Sequence, residues 1–561
     1  MQKSNILSIL LLLLTALLIL TIFAFASVPP VSRDALTHHL YVPRLFLKAG
    51  GIIELPHIPF SYYPMNLDLL YMIPLSFGND IVPKYIHFLF ALLTAWLLFR
   101  YLDKRFGRLY GLFSAFFFLS IPVVIKLSTT VYVDLGLICF TTGALLMLAE
   151  WRESEFSISK LVWAGIFCGL ALGTKYNGLV TFALLSLMVP VLFLRANAGS
   201  MRNQIKALYL GALFAVIALT VFSPWMVRNF VWTGNPVYPL YRGVFAKLGQ
   251  ETTLNFPQNE KDDLQEDGRE IKWTPFNLRS LIYGESKWDI ATIPVRVFFQ
   301  GQDDNPKYFD GVLAIWLIVF PLGLLLKARS KNRLLPSVSI LFLVFAVCYL
   351  LVVFLNQDMR VRWISPIVPP LIILSTAGLY RVSQRIDETW PRLDPNKDVL
   401  VLGMATICIL TTSTPYIVAY YKKVAPLDYI SGNVNREEYI AKYRSEYPVV
   451  RYANEHLDQA AKILCVFIGN RGYYFDNPVR FSNRFTENYV IPFHNAKEMV
   501  ESIRKKGFRY VIVNYAILNR RINEGLSHEQ QKMTLAFFTK ELTMIFKENG
   551  YGLYKVNSSA G

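Results

Sequence analysis

Apolar runs, each about as long as a membrane-spanning helix, alternate with short polar connectors along residues 1–420. A helix needs about 20 apolar residues to cross the hydrocarbon core of a bilayer, so these runs predict about eleven spanning helices. They lie near 6–26, 83–101, 108–125, 131–150, 160–177, 178–195, 206–227, 310–327, 334–355, 364–380 and 398–420. We therefore expect residues 1–420 to form a polytopic α-helical membrane domain.

The pattern changes after residue 420. The runs "AKILCVFIG" (461–469) and "RYVIVNY" (509–515) are short and rich in β-branched residues, as buried strands are. Between them "AKEMVESIRKKG" (496–507) has helical periodicity and ends at Gly507, a residue typical of helix ends. A strand, helix, strand order predicts a soluble α/β domain over 421–561.

Charge sets the expected orientation. Basic residues concentrate in alternate connectors, and cytoplasmic connectors are the ones that carry excess Lys and Arg. These connectors are 100–108, 195–206, 327–333 and 381–385. The amino terminus is then inside, and an odd number of spans places the α/β domain outside the cytoplasm. The loops 27–82 and 228–309 would also face the exterior, the second with a solvated polar segment at 258–270.

Composition agrees with this assignment and removes one class of function. The 561 residues are 53% hydrophobic and only 17% charged, beyond the range of ordinary soluble domains. The net charge of +17 could suggest nucleic acid as a partner. Because the basic residues lie in the connectors, no basic domain remains to bind nucleic acid, and the expected partner is the bilayer.

An ionisable stretch, "DALTHHL" (34–40), follows directly after the first span. Helical spacing puts Asp34, Thr37, His38 and Tyr41 on one face, and Pro43 is expected to interrupt the helix. One reading is a functional polar face at the outer membrane surface. The other is a set of solvated interfacial residues.

Further ionisable residues fall at the outer ends of predicted spans, the side that is usually poor in cations. They are Asp134, Lys175, Arg228, Arg360 and Arg362. Ionisable groups at membrane depth usually face a bundle interior or a water-filled cavity. Convergent cations with two carboxylates nearby predict a phosphate pocket, whereas each cation alone could also snorkel to the interface.

Several short motifs in a fixed order resemble those of the GT-C glycosyltransferases, in the branch of the protein O-mannosyltransferases and the lipid A aminoarabinose transferases. The resemblance covers residues 1 to about 420. The motifs are "DALTHHL", "YYPMNLDLLY" (62–71), "YVDL" (132–135), "GTKYNGL" (173–179), "PWMVRN" (224–229), "TGNPVYP" (233–239) and "RWISP" (362–366).

The resemblance implies transfer of a sugar, with inversion, from a polyprenyl-phosphate donor to an extracytoplasmic acceptor, in the inner membrane of a bacterium with the site facing the periplasm. It places Asp34 at the position of the catalytic base and Asp134 at the second acidic site. Lys175, Arg228, Arg360 and Arg362 would bind the donor phosphate, and His38, His39 and Tyr63 would contact substrate. Ala35 stands where many relatives carry a second acid, and no Lys lies near Met65, so the identity of the sugar does not carry over.

Three alternatives remain open at this stage. Asp34, His38, His39, His57 and Asp134 could supply ligands to a divalent metal, although no cofactor is required when cations neutralise a phosphate leaving group. A transporter or flippase of lipid-linked sugars would use the same membrane architecture, but the sequence has no internal repeat of the kind common in transporters. A non-catalytic assembly protein would use its external parts to bind partners.

Overall fold

The computed structural model describes residues 2–197, 199–247, 275–326, 334–356, 359–389 and 396–557. The polar segment 258–270 lies outside the described residues. Within them the chain divides into two compact units. The membrane unit comprises residues within 2–28, 62–247 and 275–426, and the C-terminal unit comprises 29–61 and 427–557.

The membrane unit is a bundle of apolar helices. Among the described residues, eight helices are long and apolar enough to cross a membrane: Ser4–Ala26, Val82–Phe106, Asp134–Glu153, Gly178–Ala196, Met201–Thr233, Ser339–Asn356, Val361–Ile386 and Lys397–Val424. The bent pair Arg108–Ser120 and Pro122–Ser128 is a ninth candidate, and two shorter apolar helices are Ile158–Leu172 and Trp316–Leu325. Each of the eleven predicted segments overlaps one of these helices, which confirms a polytopic α-helical membrane protein.

Smaller helices lie between the apolar ones in the same unit. They are Asn66–Ser76, Arg242–Lys247, Pro275–Tyr283, Lys287–Ala291, Ile293–Arg296 and the 3₁₀ turn Pro306–Tyr308. Buried ion pairs of Glu285 with Arg279 and Arg296 hold the segment 279–296 together. Arg279 is 1% exposed, and its Nη2 donates to Glu285 Oε1 at 2.9 Å and to the Lys307 carbonyl at 2.6 Å.

The prediction of an uninterrupted span over 108–125 is wrong at its C-terminal end. The helix Arg108–Ser120 stops at Ile121, which is extended, and the helix Pro122–Ser128 leaves at an angle of 67°. Pro122 explains the break, because proline disfavours helical geometry in the residue before it and has no N–H to donate. The bend leads the chain into the turn that precedes Asp134.

The C-terminal unit contains a five-stranded sheet in the order β2-β1-β3-β5-β4. The strands are β1 (Lys462–Val466), β2 (Val479–Ser482), β3 (Phe508–Asn514), β4 (Leu542–Glu548) and β5 (Tyr551–Val556). β1 is parallel to both β2 and β3, and β5 is antiparallel to β3 and β4. The predicted α/β domain is confirmed, with the predicted helix at Ala496–Lys505.

Helices precede and separate these strands along the chain, and several of them supply one side of the core of the sheet. They are Pro426–Ile430, Arg436–Tyr443, Tyr447–His456, Phe485–Tyr489, Ala496–Lys505, Tyr515–Gly525, His528–Ala536 and the π-helical turn Phe537–Glu541. Met499 and Ile503 pack with Val511 and Val513 of β3, all at or near complete burial. Helix and strand periodicity thus bring their apolar sides together.

Residues 29–61 belong to the same C-terminal unit. Tyr473 N donates to the Leu36 carbonyl at 3.1 Å, and the Tyr474 hydroxyl donates to the Pro30 carbonyl at 2.8 Å. Arg44 binds Asp476 Oδ1 at 2.5 Å. The stretch around Asp34 is therefore held by backbone and charged contacts to the segment after β1.

The expectation that Pro43 interrupts a helix is wrong. A π-helical turn occupies Ala35–His39, and a new α-helix runs over Tyr41–Ala49 with Pro43 in its first turn. A proline is tolerated there, because the first N–H groups of a helix have no partner within the helix. The break falls at Leu40 instead.

Candidate active site

A buried ion pair lies at the start of the helix Asp134–Glu153. Asp134 is 1% exposed, and its Oδ1 accepts a hydrogen bond from Lys175 Nζ at 2.6 Å. Lys175 follows the short helix Ile158–Leu172, so the two motifs "YVDL" and "GTKYNGL" meet here. Asp134 Oδ2 is buried and accepts no hydrogen bond from the residues that the structure describes.

Arg362 joins this pair. It lies close enough to Asp134 to interact with it electrostatically, and its guanidinium stands 5.3 Å from the centroid of the Tyr132 ring. The hydroxyl of Tyr71 donates to the Tyr132 carbonyl at 2.5 Å, which fixes the turn that precedes Asp134. The structure thus brings together one carboxylate and two cations from three distant motifs.

Arg228 is held in a different way. Its Nη2 donates to the carbonyls of Tyr62 at 2.6 Å and Tyr63 at 3.1 Å, and to Asn229 Oδ1 at 2.8 Å. The guanidinium lies 4.6 Å from the centroid of the Trp225 ring. Within the described part of the chain, Arg228 forms no ion pair with a carboxylate, and its Nη1 is buried without an acceptor.

The motifs around Arg228 interlock. Trp225 Nε1 donates to Asn66 Oδ1 at 2.8 Å, and Asn66 N donates to the Gly173 carbonyl at 2.9 Å. A Cβ at Gly173 would come within 2.3 Å of the Asn66 side chain, so only glycine allows this approach. Three motifs therefore pack together into one contiguous wall of the membrane unit: "YYPMN", "GTKYN" and "PWMVRN".

Two tyrosines complete this wall. The Tyr176 hydroxyl donates to the Tyr238 carbonyl at 2.7 Å and accepts from Asn229 Nδ2 at 3.1 Å. The Tyr63 ring packs edge to face against Tyr176 with centroids 5.2 Å apart. Burial raises the pKa of the Tyr63 hydroxyl, so it stays protonated at neutral pH.

Arg360 belongs to another cluster. Its Nη1 lies 3.7 Å from Asp310 Oδ2, and its guanidinium stands 5.1 Å from the Trp363 ring centroid. Asp310 also approaches Lys126 Nζ at 3.5 Å, and Asp303 lies 3.4 Å from the same ammonium. Arg360 and Arg362, the two arginines of "RVRW" (360–363), therefore have separate surroundings. Their spacing in the sequence did not reveal this difference.

The remaining candidates, Asp34, His38 and His39, lie in the C-terminal unit. Asp34 is half-buried at the start of the π-helical turn, and its carboxylate does not cap the helix. His38 stacks on Phe60 with ring centroids 4.4 Å apart, and His39 is 8% exposed. Single π-helical turns occur frequently at functional sites.

Sequence reasoning missed the groups that orient the charged residues. The carbonyls of Tyr62 and Tyr63 carry no side-chain signal, and they became visible only with the backbone conformation. His87 was detectable, because it is an ionisable residue inside the apolar run "KYIHFLFALL". Among the described residues, no group of three or more His, Cys, Asp or Glu is arranged to hold a metal ion.

Comparisons with known proteins agree on the fold. A family model described as dolichyl-phosphate-mannose-protein mannosyltransferase matches residues 72–227. No curated protein gives a match to the sequence. Among solved structures, apo ArnT from Cupriavidus metallidurans is 14% identical with a TM-score of 0.58, over 97% of this chain and 97% of that chain.

Two further structures extend the likeness. ArnT from Cupriavidus metallidurans bound to undecaprenyl phosphate is 14% identical with a TM-score of 0.57, over 98% of both chains. The oligosaccharyltransferase of Archaeoglobus fulgidus in complex with Zn and sulfate is 14% identical with a TM-score of 0.51, over 98% of this chain and 73% of that chain. The chain therefore has a GT-C type fold, and it is an integral membrane protein similar to these transferases in architecture.

Proposed function

We propose that this protein is a membrane glycosyltransferase that takes a sugar from a polyprenyl-phosphate donor and transfers it, with inversion, to an extracytoplasmic acceptor. The observation that carries the proposal is Arg228, a half-buried cation within the apolar helix Met201–Thr233 that is held by carbonyl groups and aromatic rings. A cation held in this way is suited to an anionic ligand. The likeness in fold to ArnT bound to undecaprenyl phosphate supports the choice of a lipid phosphate.

The proposed reaction is a single displacement. An acceptor hydroxyl oxygen forms a bond to the anomeric carbon while the bond from that carbon to the phosphate oxygen breaks, and polyprenyl phosphate leaves with the electron pair. Asp34 takes the hydroxyl proton, since an ordinary aspartate is ionised at neutral pH. Direct displacement from the opposite side inverts the anomeric configuration.

The cations have distinct proposed roles. Arg228 binds the phosphate, where preorganised positive charge stabilises the negative charge that develops on the leaving group. Lys175 and Arg362 neutralise Asp134 and complete a positive environment beside it. Arg360 was predicted from the sequence to bind the donor phosphate, but it lies beside Asp310 in a separate cluster, so we assign the phosphate to Arg228 instead. His38, His39 and Tyr63 remain predicted substrate contacts.

The test uses the full-length protein in proteoliposomes with a panel of undecaprenyl-phosphate sugars and a membrane extract as the source of acceptor. We expect release of undecaprenyl phosphate from one donor, together with a labelled sugar on an acceptor. Movement of the intact donor across the bilayer without release would show a flippase instead. Neither release nor movement with any donor would remove the proposal.

The orientation needs a separate test. We propose that transfer occurs outside the cytoplasm, in a bacterial plasma membrane, because the basic connectors are expected inside. Alkaline phosphatase fused after Gly561 should then be active and a cytoplasm-only reporter inactive. The reverse result would place the C-terminal unit in the cytoplasm and exclude a periplasmic acceptor.

A further inference from the structure

His87 lies within the apolar helix Val82–Phe106 and is completely buried. Its Nδ1 stands 2.9 Å from the Leu127 carbonyl oxygen and 3.0 Å from the Thr130 carbonyl oxygen. Its Nε2 accepts a hydrogen bond from Leu135 N at 2.9 Å. A single side chain thus connects three points of the neighbouring backbone.

The partners determine where the imidazole carries its proton. Carbonyl oxygens only accept, so Nδ1 has to donate to Leu127 and Thr130. The backbone N–H of Leu135 only donates, so Nε2 has to accept. The neutral ring with its proton on Nδ1 meets both conditions. The neutral ring with its proton on Nε2 meets neither, and the doubly protonated ring cannot accept at Nε2.

These three points flank the turn that leads to Asp134. Leu127 belongs to the helix Pro122–Ser128, Thr130 to the turn after it, and Leu135 is the second residue of the helix that Asp134 begins. The first N–H groups of a helix have no partner within the helix, and an unpaired N–H is costly where water is absent. His87 supplies the partner for Leu135 and fixes the helix start against the preceding turn.

We propose that His87 is a positioning residue that holds the start of the Asp134 helix so that the Asp134 carboxylate meets Lys175. The proposal rests on the proposed function only in so far as Asp134 takes part in transfer. His87 touches neither donor nor acceptor in this account. It acts through the backbone of Leu135.

The protonation form can be measured without any activity. The full-length protein labelled with [¹⁵N]histidine is placed in lipid nanodiscs, and the His87 resonances are assigned by their loss in His87→Gln, or in His87→Asn if the first variant does not fold. We expect a protonated Nδ1 and an unprotonated Nε2. A proton on Nε2, or on both nitrogens, would overturn the proposal.

The positioning role needs a variant that keeps the ring volume. His87→Phe should accelerate hydrogen–deuterium exchange in residues 130–140 and lower kcat about 10²-fold, the cost of a displacement of about 1 Å in a catalytic group. The KM for the donor should change by less than about 3-fold, because the phosphate contacts are elsewhere. His87→Gln retains a donor and an acceptor and should restore both readouts in part.

The matched control is Thr94, which is also completely buried and lies two turns further along the same helix. Its Oγ1 donates to the Phe90 carbonyl of its own helix at 2.8 Å, and its side chain also contacts Cys139, which lies beyond Leu135 in the Asp134 helix. Thr94→Val should leave kcat and the exchange of the turn and helix start, residues 130–136, unchanged. Equal losses in Thr94→Val and His87→Phe would mean general packing and contradict the proposal. If the wild-type protein transfers no sugar, the proposed function fails, whereas the protonation and exchange results still decide the role of His87.

Discussion

Lys175 and Arg228 are two cations of the membrane unit, one in a connector after an apolar helix and one within an apolar helix, and their surroundings differ. Lys175 is paired with the buried carboxylate of Asp134 at 2.6 Å. Arg228 is surrounded by the carbonyls of Tyr62 and Tyr63, the Asn229 amide and the Trp225 ring. Among the described residues, the charge of Lys175 is neutralised by a carboxylate, whereas the charge of Arg228 is surrounded by dipoles and aromatic rings.

The physical difference concerns what each cation can still bind. A buried ion pair satisfies its own charges, and the loss of either partner leaves a costly unpaired charge. Carbonyl dipoles and aromatic faces compensate the desolvation of Arg228 without cancelling its charge. Arg228 is therefore the better candidate for an anionic ligand, and the Asp134–Lys175 pair is the better candidate for a fixed part of the site.

The largest expected effect concerns the two carboxylates. Asp34→Asn should lower the rate of transfer about 10²–10⁴-fold with little change in donor affinity, because Asn cannot accept the proton of the acceptor. The Asp34 carboxylate does not cap the helix, and Asn keeps the size of the side chain, so the C-terminal unit should remain folded. The measurement is single-turnover transfer at normal expression levels.

The matched variant is Asp134→Asn, whose carboxylate is already engaged by Lys175. It should lower the stability of the membrane unit as well as the rate of turnover, because it leaves the Lys175 charge without its partner. Near-normal transfer by Asp34→Asn would return residue 34 to an interfacial role. A pure loss of turnover in Asp134→Asn would make that residue the base.

A double-mutant cycle tests whether Asp134 and Lys175 act as a pair. Asp134→Asn and Lys175→Met should each destabilise the membrane unit by about 3–5 kcal/mol, since each leaves an uncompensated buried charge. The double variant removes both charges and should recover most of that loss. Thermal unfolding in nanodiscs measures it, and additive losses in the double variant would show that the pair is not coupled.

A smaller effect separates the two arginines of "RVRW". Arg362→Met removes a cation next to Asp134 and should reduce transfer about 10-fold, the value of one charged interaction of about 1.4 kcal/mol. Arg360→Met removes a guanidinium that stands 3.7 Å from Asp310 and whose side chain is 30% exposed. Its effect should stay below about 3-fold, as for other exposed pairs. Equal losses from the two variants would contradict their assignment to separate clusters.

The sequence predicted the membrane helices and the α/β domain because both depend on local periodicity. It failed at Pro122 and Pro43, where the same residue type had opposite consequences. Pro122 follows a complete helix and breaks the span, whereas Pro43 falls in a first turn that tolerates it. The position of a proline within a helix depends on where the helix begins, which short-range pattern defines poorly.

The charged residues of the candidate site were predicted from their depth, but their partners were not. The Asp134–Lys175 pair joins the first residue of one helix to a connector residue after another, and Arg228 is held by backbone carbonyls. Neither follows from hydrophobic pattern, because both require the tertiary arrangement of the helices. The role of Asp34 stays a prediction from family resemblance and chemistry.

The central claim is that Arg228, and not the Asp134–Lys175 pair, anchors the donor phosphate. The most direct measurement is equilibrium binding of undecaprenyl phosphate to the full-length protein in nanodiscs, with Arg105→Met as the control, because Arg105 already binds Glu153. Arg228→Met should weaken binding about 10- to 100-fold, as the loss of charge-assisted hydrogen bonds predicts. The double variant Asp134→Asn with Lys175→Met keeps the net charge and should change binding by less than about 3-fold. Normal binding by Arg228→Met, or an equal loss in the double variant, would contradict the account.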